Sequence, residues 1–287
     1  AGTAFYGAGA ALGDDTSPTH QTTVSGLPSQ QQTPPAPRPA PTTAAGFNQM
    51  WEQVSVDQWG AADVAESVPL KDGRSVWLFG DTMSRYNGFV HSTAITQDGG
   101  NLHVSNNGKQ LLPNDPSTEA GRKNIYWIEE GKAVGDSTIE VTAKPMSVGS
   151  DNVWDFKERD TRSRVAVVTI DDTGDATFVK WKGYTPSPDQ YQDLTEDRPG
   201  HYTYQRRAHP QFAMDSGKVL MGNSQNWSEP KKTETGEIDY LAYRPVFTEG
   251  TGKEHKVTYD EWRASHQQKP FWEYVENKGI RRVRTPE

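Results

Sequence analysis

The sequence of 287 residues contains no cysteine. Disulfide bonds, thiolate metal sites and cysteine nucleophiles are therefore excluded. The sequence also lacks an uninterrupted apolar run of about 18 residues, the length that predicts a transmembrane helix. We therefore expect a chain with no transmembrane segment.

Basic clusters and aliphatic residues are also scarce. The formal net charge is −8, and the densest run of arginines lies at residues 281–284, at the end of the sequence. Nucleic-acid binding needs clustered Lys and Arg that neutralise phosphates, so a nucleic-acid partner is not expected. Hydrophobic residues make up only 33% and the mean hydropathy is −0.84. With 9 Trp, 11 Tyr and 9 Phe, the core is expected to depend on aromatic side chains.

Residues 1–46 are rich in Pro, Thr, Gln, Ala and Gly. Such a segment buries too little apolar surface to offset its chain entropy, and its prolines favour an extended spacer. We interpret it as a tether that leads into a domain at residues 47–287. This interpretation predicts a secreted or cell-envelope protein, with an envelope or assembly partner docked through the tether as a second reading of the segment.

From Phe47 onward, short apolar runs alternate with turn sequences such as Asp72-Gly73 and Asn107-Gly108. The pattern predicts an all-β fold, as a sandwich, a barrel or a propeller. One helix is expected near the C-terminus, where Thr258 and Glu261 form a capping-box pattern. The predicted strands are 75–79, 91–96, 102–104, 125–129, 138–143, 165–170, 176–181, 211–214, 218–223 and 240–245.

Two aspartates stand out by their positions. Asp63 lies in a loop or at the start of a strand, and Asp81 follows the apolar strand that ends at Phe79 and Gly80. Because glycine lacks a Cβ, Gly80 allows a sharp exit that presents Asp81 at the strand end. The simpler alternative is that both carboxylates only accept hydrogen bonds in turns.

An ordered series of motifs between about residues 58 and 248 resembles an actinobacterial and phage family, described as a domain of unknown function, that is associated with endo-D-arabinanases. The motifs are Trp59 with Asp63-Val64, Asp72-Gly73-Arg74, Val76-Trp77-Leu78-Phe79-Gly80-Asp81-Thr82, Asn87-Gly88-Phe89-Val90-His91-Ser92, Ile125-Tyr126-Trp127, Arg207-Ala208-His209-Pro210-Gln211-Phe212 and Tyr243-Arg244-Pro245-Val246-Phe247.

The resemblance implies a five-bladed β-propeller glycoside hydrolase that acts on furanosidic polymers, such as the D-arabinan of arabinogalactan in mycolate-bearing cell walls. Between Tyr184 and Arg206, where another strand-rich blade is expected, the sequence is polar. This departure leaves open a reduced blade, or a ring that the terminal segments complete.

Glycoside cleavage uses two carboxyl groups that flank the scissile bond. By the resemblance, Asp63 and Asp81 are the catalytic pair near the central funnel, with the acid and base roles unassigned. Glu129, which follows Tyr126-Trp127-Ile128, is a third candidate that would contact substrate, and its alternative is an exposed glutamate at a strand end.

Four further residues are candidates for substrate binding. His91 and His209 lie in motif positions and are suited to sugar hydroxyls or to tuning a carboxylate, although a His beside Pro is often structural. Trp227 lies in a polar stretch, 223–228, that predicts an exposed ring for sugar stacking. Arg244 either reaches substrate or fixes a strand end through its fork of donors.

No cofactor or catalytic metal is expected, and a structural calcium in the loops stays open. The histidines lack the spacing of transition-metal ligands, and the aspartates, among them Asp151, Asp155, Asp171 and Asp172, form no contiguous calcium motif. A second function stays open at this point: a non-catalytic carbohydrate-binding or structural surface module of a phage particle or bacterial envelope, motivated by the polar middle region.

Overall fold

The computed structural model describes residues 38–150, 155–188, 190–191, 195–227, 231–252 and 256–257. The protein is mostly β, with antiparallel pairing throughout these residues. The helix predicted near Thr258 lies outside the described residues. No described helix has the length and hydropathy of a membrane-spanning segment.

The regular elements are one α-helix, two 3₁₀ helices and eighteen strands among the described residues. The α-helix, α1, is Ala44–Glu52, and the 3₁₀ helices are Ser105–Gly108 and Tyr240–Tyr243. The strands, in chain order from β1 to β18, are Ala61–Ala62, Glu66–Pro69, Ser75–Phe79, Thr82–Ser84, Gly88–Val90, Thr93–Asp98, Asn101–Val104, Arg122–Ala133, Thr138–Gly149, Phe156–Glu158, Arg162–Ile170, Ala176–Pro186, Gln190–Tyr191, Thr195–Arg198, His201–Ala213, Val219–Trp227, Val246–Gly250 and Lys256–Val257.

The described strands form several small antiparallel sheets, consistent with propeller-like blades. Two sheets have four strands each, in the orders β2-β3-β6-β7 and β14-β15-β16-β17. A five-stranded sheet has the order β10-β9-β11-β12, with β8 also paired to β9. A three-stranded sheet, β1-β4-β5, and the pair β13-β18 complete the set.

Aromatic side chains fill much of the interior, as the composition predicts. Strand β3 is buried at all five positions, and its last four, Val76 to Phe79, form a continuous apolar run rather than an alternating one. Its Trp77 contacts Trp51 of α1 at a ring-centroid distance of 5.2 Å and Phe247 of β17 at 5.5 Å. Helix α1 is therefore packed between the two four-stranded sheets.

Helix α1 begins inside the segment interpreted as a tether. Its N-cap is Thr43, whose hydroxyl accepts a hydrogen bond from the Gly46 amide. Upstream of the helix, the carbonyl oxygen of Arg38 accepts from the Gly100 amide at 2.8 Å. The Asp215 amide donates to the carbonyl oxygen of Thr42, also over 2.8 Å. Residues from Arg38 onward thus pack on the domain, and residues 1–37 lie outside the described part.

Two segments differ from the sequence-based expectation. The polar region between Tyr184 and Arg206 carries strands, since β14 and the start of β15 lie there. Strand β15 buries polar side chains, among them His201, Gln205 and Arg207. A hydropathy pattern therefore does not predict strand β15. The predicted strand at 240–245 is wrong, because a 3₁₀ helix, capped by the Asp239 carboxylate, occupies that position.

Candidate active site

Asp63 and Asp81 lie next to each other where β1 and β4 pair. The Asp63 amide donates to the Asp81 carbonyl oxygen over 3.2 Å, and the Gly80 amide donates to the Asp63 carbonyl oxygen over 3.1 Å. The ladder continues through Ala62 and Thr82, which are directly opposite each other. The two aspartates expected to act together are therefore brought together by backbone pairing.

The backbone after Asp63 adopts a conformation that non-glycine residues rarely use. Val64 has φ 75° and Ala65 has φ 47°. A β-branched residue at positive φ is strained, and such strain clusters at functional sites. The Val64 amide donates to Gln205 Oε1 and to Ser224 Oγ, both at 3.0 Å. These hydrogen bonds hold the strained turn that carries Asp63.

The Asp63 carboxyl group is buried without a hydrogen bond to either oxygen from the described residues. Asp63 is only 1% exposed. Burial raises the pKa of Asp63 well above its usual range, and the negative charge of Asp81 raises it further. A carboxyl group in this setting holds a proton at a pH where an ordinary aspartate has lost it.

Asp81 has the opposite surroundings, because its Oδ1 atom has two polar neighbours. The Trp127 indole N–H donates to it over 3.2 Å. His91 Nδ1 lies 2.8 Å from the same oxygen. The indole N–H only donates, and His91 Nδ1 donates in the tautomer that carries its proton there, so the two side chains fix the direction of Asp81 Oδ1. His91 is buried and is thus a partner of Asp81, rather than an exposed sugar ligand.

A small pocket adjoins Asp63, and its enclosed space of about 20 Å³ holds about one water molecule. Glu129 and Lys144 line it from β8 and β9. Burial raises the pKa of Glu129, whose Oε2 accepts a hydrogen bond from the Ser163 hydroxyl. The lining residues are Asp63, Val64, Gly80, Trp127, Ile128, Glu129, Lys144 and Gln205. Asp81 is not among the lining residues, and Trp127, which is, donates a hydrogen bond to it.

His209 and Trp227 lie elsewhere and make structural contacts. His209 is 1% exposed, and its Nδ1 atom is 2.6 Å from Ser67 Oγ. Burial, assisted by the charge of Arg207, lowers the pKa of His209 to about 3, so the ring is neutral. Trp227 is half-buried at the end of β16 rather than in a loop, and its Nε1 donates to the Ala242 carbonyl oxygen over 2.8 Å. The freely exposed ring expected there is not found.

Arg244 is buried and fixes the chain where α1 ends. Its guanidinium group donates to the carbonyl oxygens of Trp51, Val54, Trp59 and Gly60. Burial lowers the pKa of Arg244 to about 10. Of the two roles considered for this residue, the contacts support the structural one.

Six pocket residues were not among the predicted site residues, and three of them, Trp127, Lys144 and Gln205, have side chains that can form hydrogen bonds. Trp127 lies within a recognised motif, which was the available signal for it. Lys144 and Gln205 carried none, because both are polar residues inside strands. Only the fold shows that they line the pocket. No group of three or more His, Asp or Glu side chains within the described ranges is placed to hold a metal ion.

The sequence matches no protein-family model and shows no significant similarity to a curated protein. In structure, the chain is similar to an inferred hydrolase from Bacteroides ovatus, with 11% identity, a TM-score of 0.40, and coverage of 79% of this chain and 92% of that one. It is also similar to the β-fructofuranosidase catalytic domain of Microbacterium saccharophilum, with 13% identity and a TM-score of 0.29. That likeness covers 82% of this chain and 58% of the other.

Proposed function

We propose that the protein is a glycoside hydrolase in which Asp63 and Asp81 are the catalytic carboxyl groups. The observation that carries the proposal is the contrast between two adjacent aspartates. Asp63 is buried at a pocket with no hydrogen bond to its carboxyl oxygens from the described residues, whereas Asp81 is hydrogen-bonded. Environments that separate the protonation of two neighbouring acids are the mark of acid/base catalysis.

The roles follow from this contrast. Asp63, which retains its proton, donates it to the glycosidic oxygen as the bond to the anomeric carbon breaks. Asp81 is the hydrogen-bonded partner. The two polar contacts of Asp81 use Oδ1, and Oδ2 accepts no hydrogen bond from the described residues. Oδ2 is therefore the oxygen proposed to take a proton from a water molecule that enters beside Asp63, since Asp81 is buried and does not line the pocket where the sugar would bind.

The proposed substrate is a furanosidic cell-wall polysaccharide such as D-arabinan. Its support is the ordered series of motifs around Asp63, Asp81, His91 and Arg244, which resembles the endo-D-arabinanase family. A five-bladed propeller and a secreted or envelope location belong to the same proposal. The N-terminal segment, whose described part packs on the domain from Arg38, is proposed to lead to the envelope.

The test is release of reducing ends from arabinogalactan by the wild type, Asp63→Asn and Asp81→Asn. Each variant keeps the side-chain shape and removes the titrating group, and we expect roughly a 10²-fold to 10⁴-fold loss of rate. Asp136→Asn is the matched control, because its side chain is 84% exposed and forms a surface salt bridge with Lys71. No cleavage by the wild type, or full activity of both site variants, would contradict the proposal.

The alternative, a non-catalytic carbohydrate-binding or surface module, was motivated by the polar region between Tyr184 and Arg206. Strands β14 and β15 occupy that region, so the motivation is gone. Retention of the polymer on an affinity gel without cleavage, unchanged by either Asp substitution, would favour this alternative.

A further inference from the structure

The enclosed space beside Asp63 has room for about one water molecule, so a sugar ring does not fit inside it. A polysaccharide that approaches the two aspartates therefore needs a binding surface outside that space. The three-stranded sheet β1-β4-β5, which carries Asp81 and His91 at one end, offers such a surface.

One face of this sheet continues outward from Asp81 and His91. Side chains two positions apart along a strand point to the same face. Met83 lies two residues after Asp81, and Phe89 lies two residues before His91. Met83 and Phe89 are directly opposite each other in the sheet. The Phe89 ring meets the His91 ring edge to face, with the ring centroids 5.1 Å apart. Phe89 thus contacts the residue that orients Asp81.

Met83 and Phe89 belong to an apolar cluster that lies at the protein surface. Its buried members are Ala61 and Tyr243, whereas six members are half-buried. In the other three apolar clusters of the described residues, the buried members outnumber the half-buried ones. The half-buried members are Met83, Phe89, Trp227, Ile238, Tyr240 and Ala242. We call Met83, Phe89, Ile238 and Tyr240 the outer apolar face.

Backbone and ionic contacts hold the outer apolar face in place. The Tyr240 ring lies against Gly60, where a Cβ atom would clash with the ring. The Gly60 amide donates to the Met83 carbonyl oxygen over 2.8 Å. Arg85, in the turn between β4 and β5, donates to Glu237 over 3.0 Å and so joins that turn to the residue before Ile238. A surface fixed in this way loses little conformational entropy when a ligand binds.

The chemistry of the outer apolar face favours a neutral ligand. Its four side chains are uncharged, and Arg85 at its edge is paired with Asp57 and Glu237. Half-buried aromatic rings suit the C–H face of a sugar ring, which is apolar while its hydroxyl groups stay in water. A stable protein partner would need roughly 20–30 residues on each side, which is far more than this face supplies.

We infer that the outer apolar face binds the polysaccharide chain next to the sugar unit that is cleaved, with Phe89 and Tyr240 as the rings on which sugars stack. The inference rests on the proposed function, because it places the substrate of that reaction on the protein. The ligand class is a neutral polysaccharide chain rather than a single sugar, since the face lies beside the aspartates and not around them. Contacts away from the bond that breaks stabilise the bound substrate and the transition state alike, so their loss raises KM.

The experiment measures kcat and KM on arabinogalactan, and Tm, for the wild type, Phe89→Leu, Phe89→Tyr and Phe178→Leu. Phe89→Leu removes the ring and stays apolar, whereas Phe89→Tyr keeps the ring. Phe178 is the matched control, because it is a half-buried phenylalanine that packs on a different cluster, from β12. For Phe89→Leu we expect KM to rise about 10-fold while kcat changes less than about threefold. Phe89→Tyr and Phe178→Leu should keep the wild-type KM.

Electrophoresis in gels that contain arabinogalactan measures binding without turnover. We compare Asp63→Asn with the double variant Asp63→Asn, Phe89→Leu, and we expect the polymer to retard the double variant less.

Three results would overturn the inference while leaving the proposed function intact. They are a wild-type KM in Phe89→Leu, an equal rise of KM in Phe89→Tyr or Phe178→Leu, and equal retardation of the two proteins in the gel. Absence of cleavage by the wild type would instead refute the proposed function. If Phe89→Leu does not fold, Tyr240→Leu tests the same face. We then expect a raised KM, and an unchanged KM would overturn the inference.

Discussion

Nδ1 of His91 lies 2.8 Å from Oδ1 of Asp81, and both side chains are buried. The pairing joins β4 to the chain just after β5, since Asp81 directly precedes β4 and His91 directly follows β5. His91 thus sets the direction of the Asp81 carboxylate without lining the pocket. Sequence motifs alone place both residues in one family pattern, but only the fold shows that one orients the other.

Replacement of His91 by Ala should reduce kcat by roughly 10-fold to 100-fold, because a displaced catalytic group loses rate steeply. Asn is the informative comparison, since its amide nitrogen approximates the position of Nδ1 and can donate to Asp81. We expect His91→Asn to recover part of the rate that His91→Ala loses. Steady-state kinetics on arabinogalactan, with Tm as the folding control, measure this. Equal rates for His91→Ala and the wild type would show that Asp81 needs no orientation by His91.

Asp63 should make the folded state less stable as the pH rises. Its pKa in the folded protein is raised above that of the unfolded chain, first by burial and then by Asp81. The folded state therefore binds the proton more tightly. Its contribution to stability is complete below the unfolded pKa and is lost as the pH rises through the folded value.

Asp63→Asn removes this contribution, so the variant should lose less stability than the wild type between acidic and neutral pH. Urea unfolding of both proteins at several pH values between about 4 and 8 measures the difference. Groups with lowered pKa, such as Asp115, act in the opposite direction but are common to both proteins. Parallel pH profiles for the two proteins would mean that folding does not raise the pKa of Asp63.

Local apolar patterns predicted the strand β3, because the run from Val76 to Phe79 is short, contains β-branched and aromatic residues, and lies between glycine-containing turns. The same reasoning failed for β15, where buried His201, Gln205 and Arg207 give the strand a polar sequence. The stability of that strand comes from pairing with β16 and from hydrogen bonds made inside the protein. Hydropathy does not encode such partners.

The sequence likewise predicts one part of the candidate site and not the other. The adjacency of Asp63 and Asp81 follows from two short strands that pair, and the motif series indicated it. The pocket positions of Glu129 and Gln205 depend on single-residue bulges in β8 and β15. A bulge is a property of two paired strands rather than of one, so one strand's sequence does not predict which residue it redirects.

Gly80 is expected to be essential because the Asp63 carboxyl group occupies the space where a side chain would begin. A Cβ atom there would lie 2.4 Å from Asp63 Oδ1 and 2.9 Å from Val64 Cγ2. Gly80→Ala should therefore displace Asp63, with a loss of activity of about 100-fold and a destabilisation of about 1–3 kcal/mol. Gly183→Ala is the control, since a Cβ at Gly183 meets no atom within 4 Å. Kinetics and denaturant unfolding of the two variants should differ accordingly.

Substitution of Arg244 distinguishes a structural role from a substrate-binding role, because the two roles predict different changes in Tm and KM. Replacement by Met removes the donors to four buried carbonyl oxygens, those of Trp51, Val54, Trp59 and Gly60. Loss of one member of a buried polar network typically costs about 3–5 kcal/mol, so Tm should fall markedly. Arg85→Met is the control, because Arg85 is half exposed and its ion pairs with Asp57 and Glu237 contribute about 1 kcal/mol at most.

Assayed well below its own Tm, Arg244→Met should keep a KM close to that of the wild type, since the guanidinium group points at the end of α1 and is not among the pocket residues. Lys in its place should fail to restore stability, because one ammonium group does not reach all the carbonyl oxygens that the planar guanidinium fork serves. A normal Tm with a greatly raised KM for Arg244→Met would reverse the assignment and return Arg244 to the substrate. The predicted outcome is low stability with unchanged substrate affinity. It would show that Arg244 holds the end of α1 against the two four-stranded sheets.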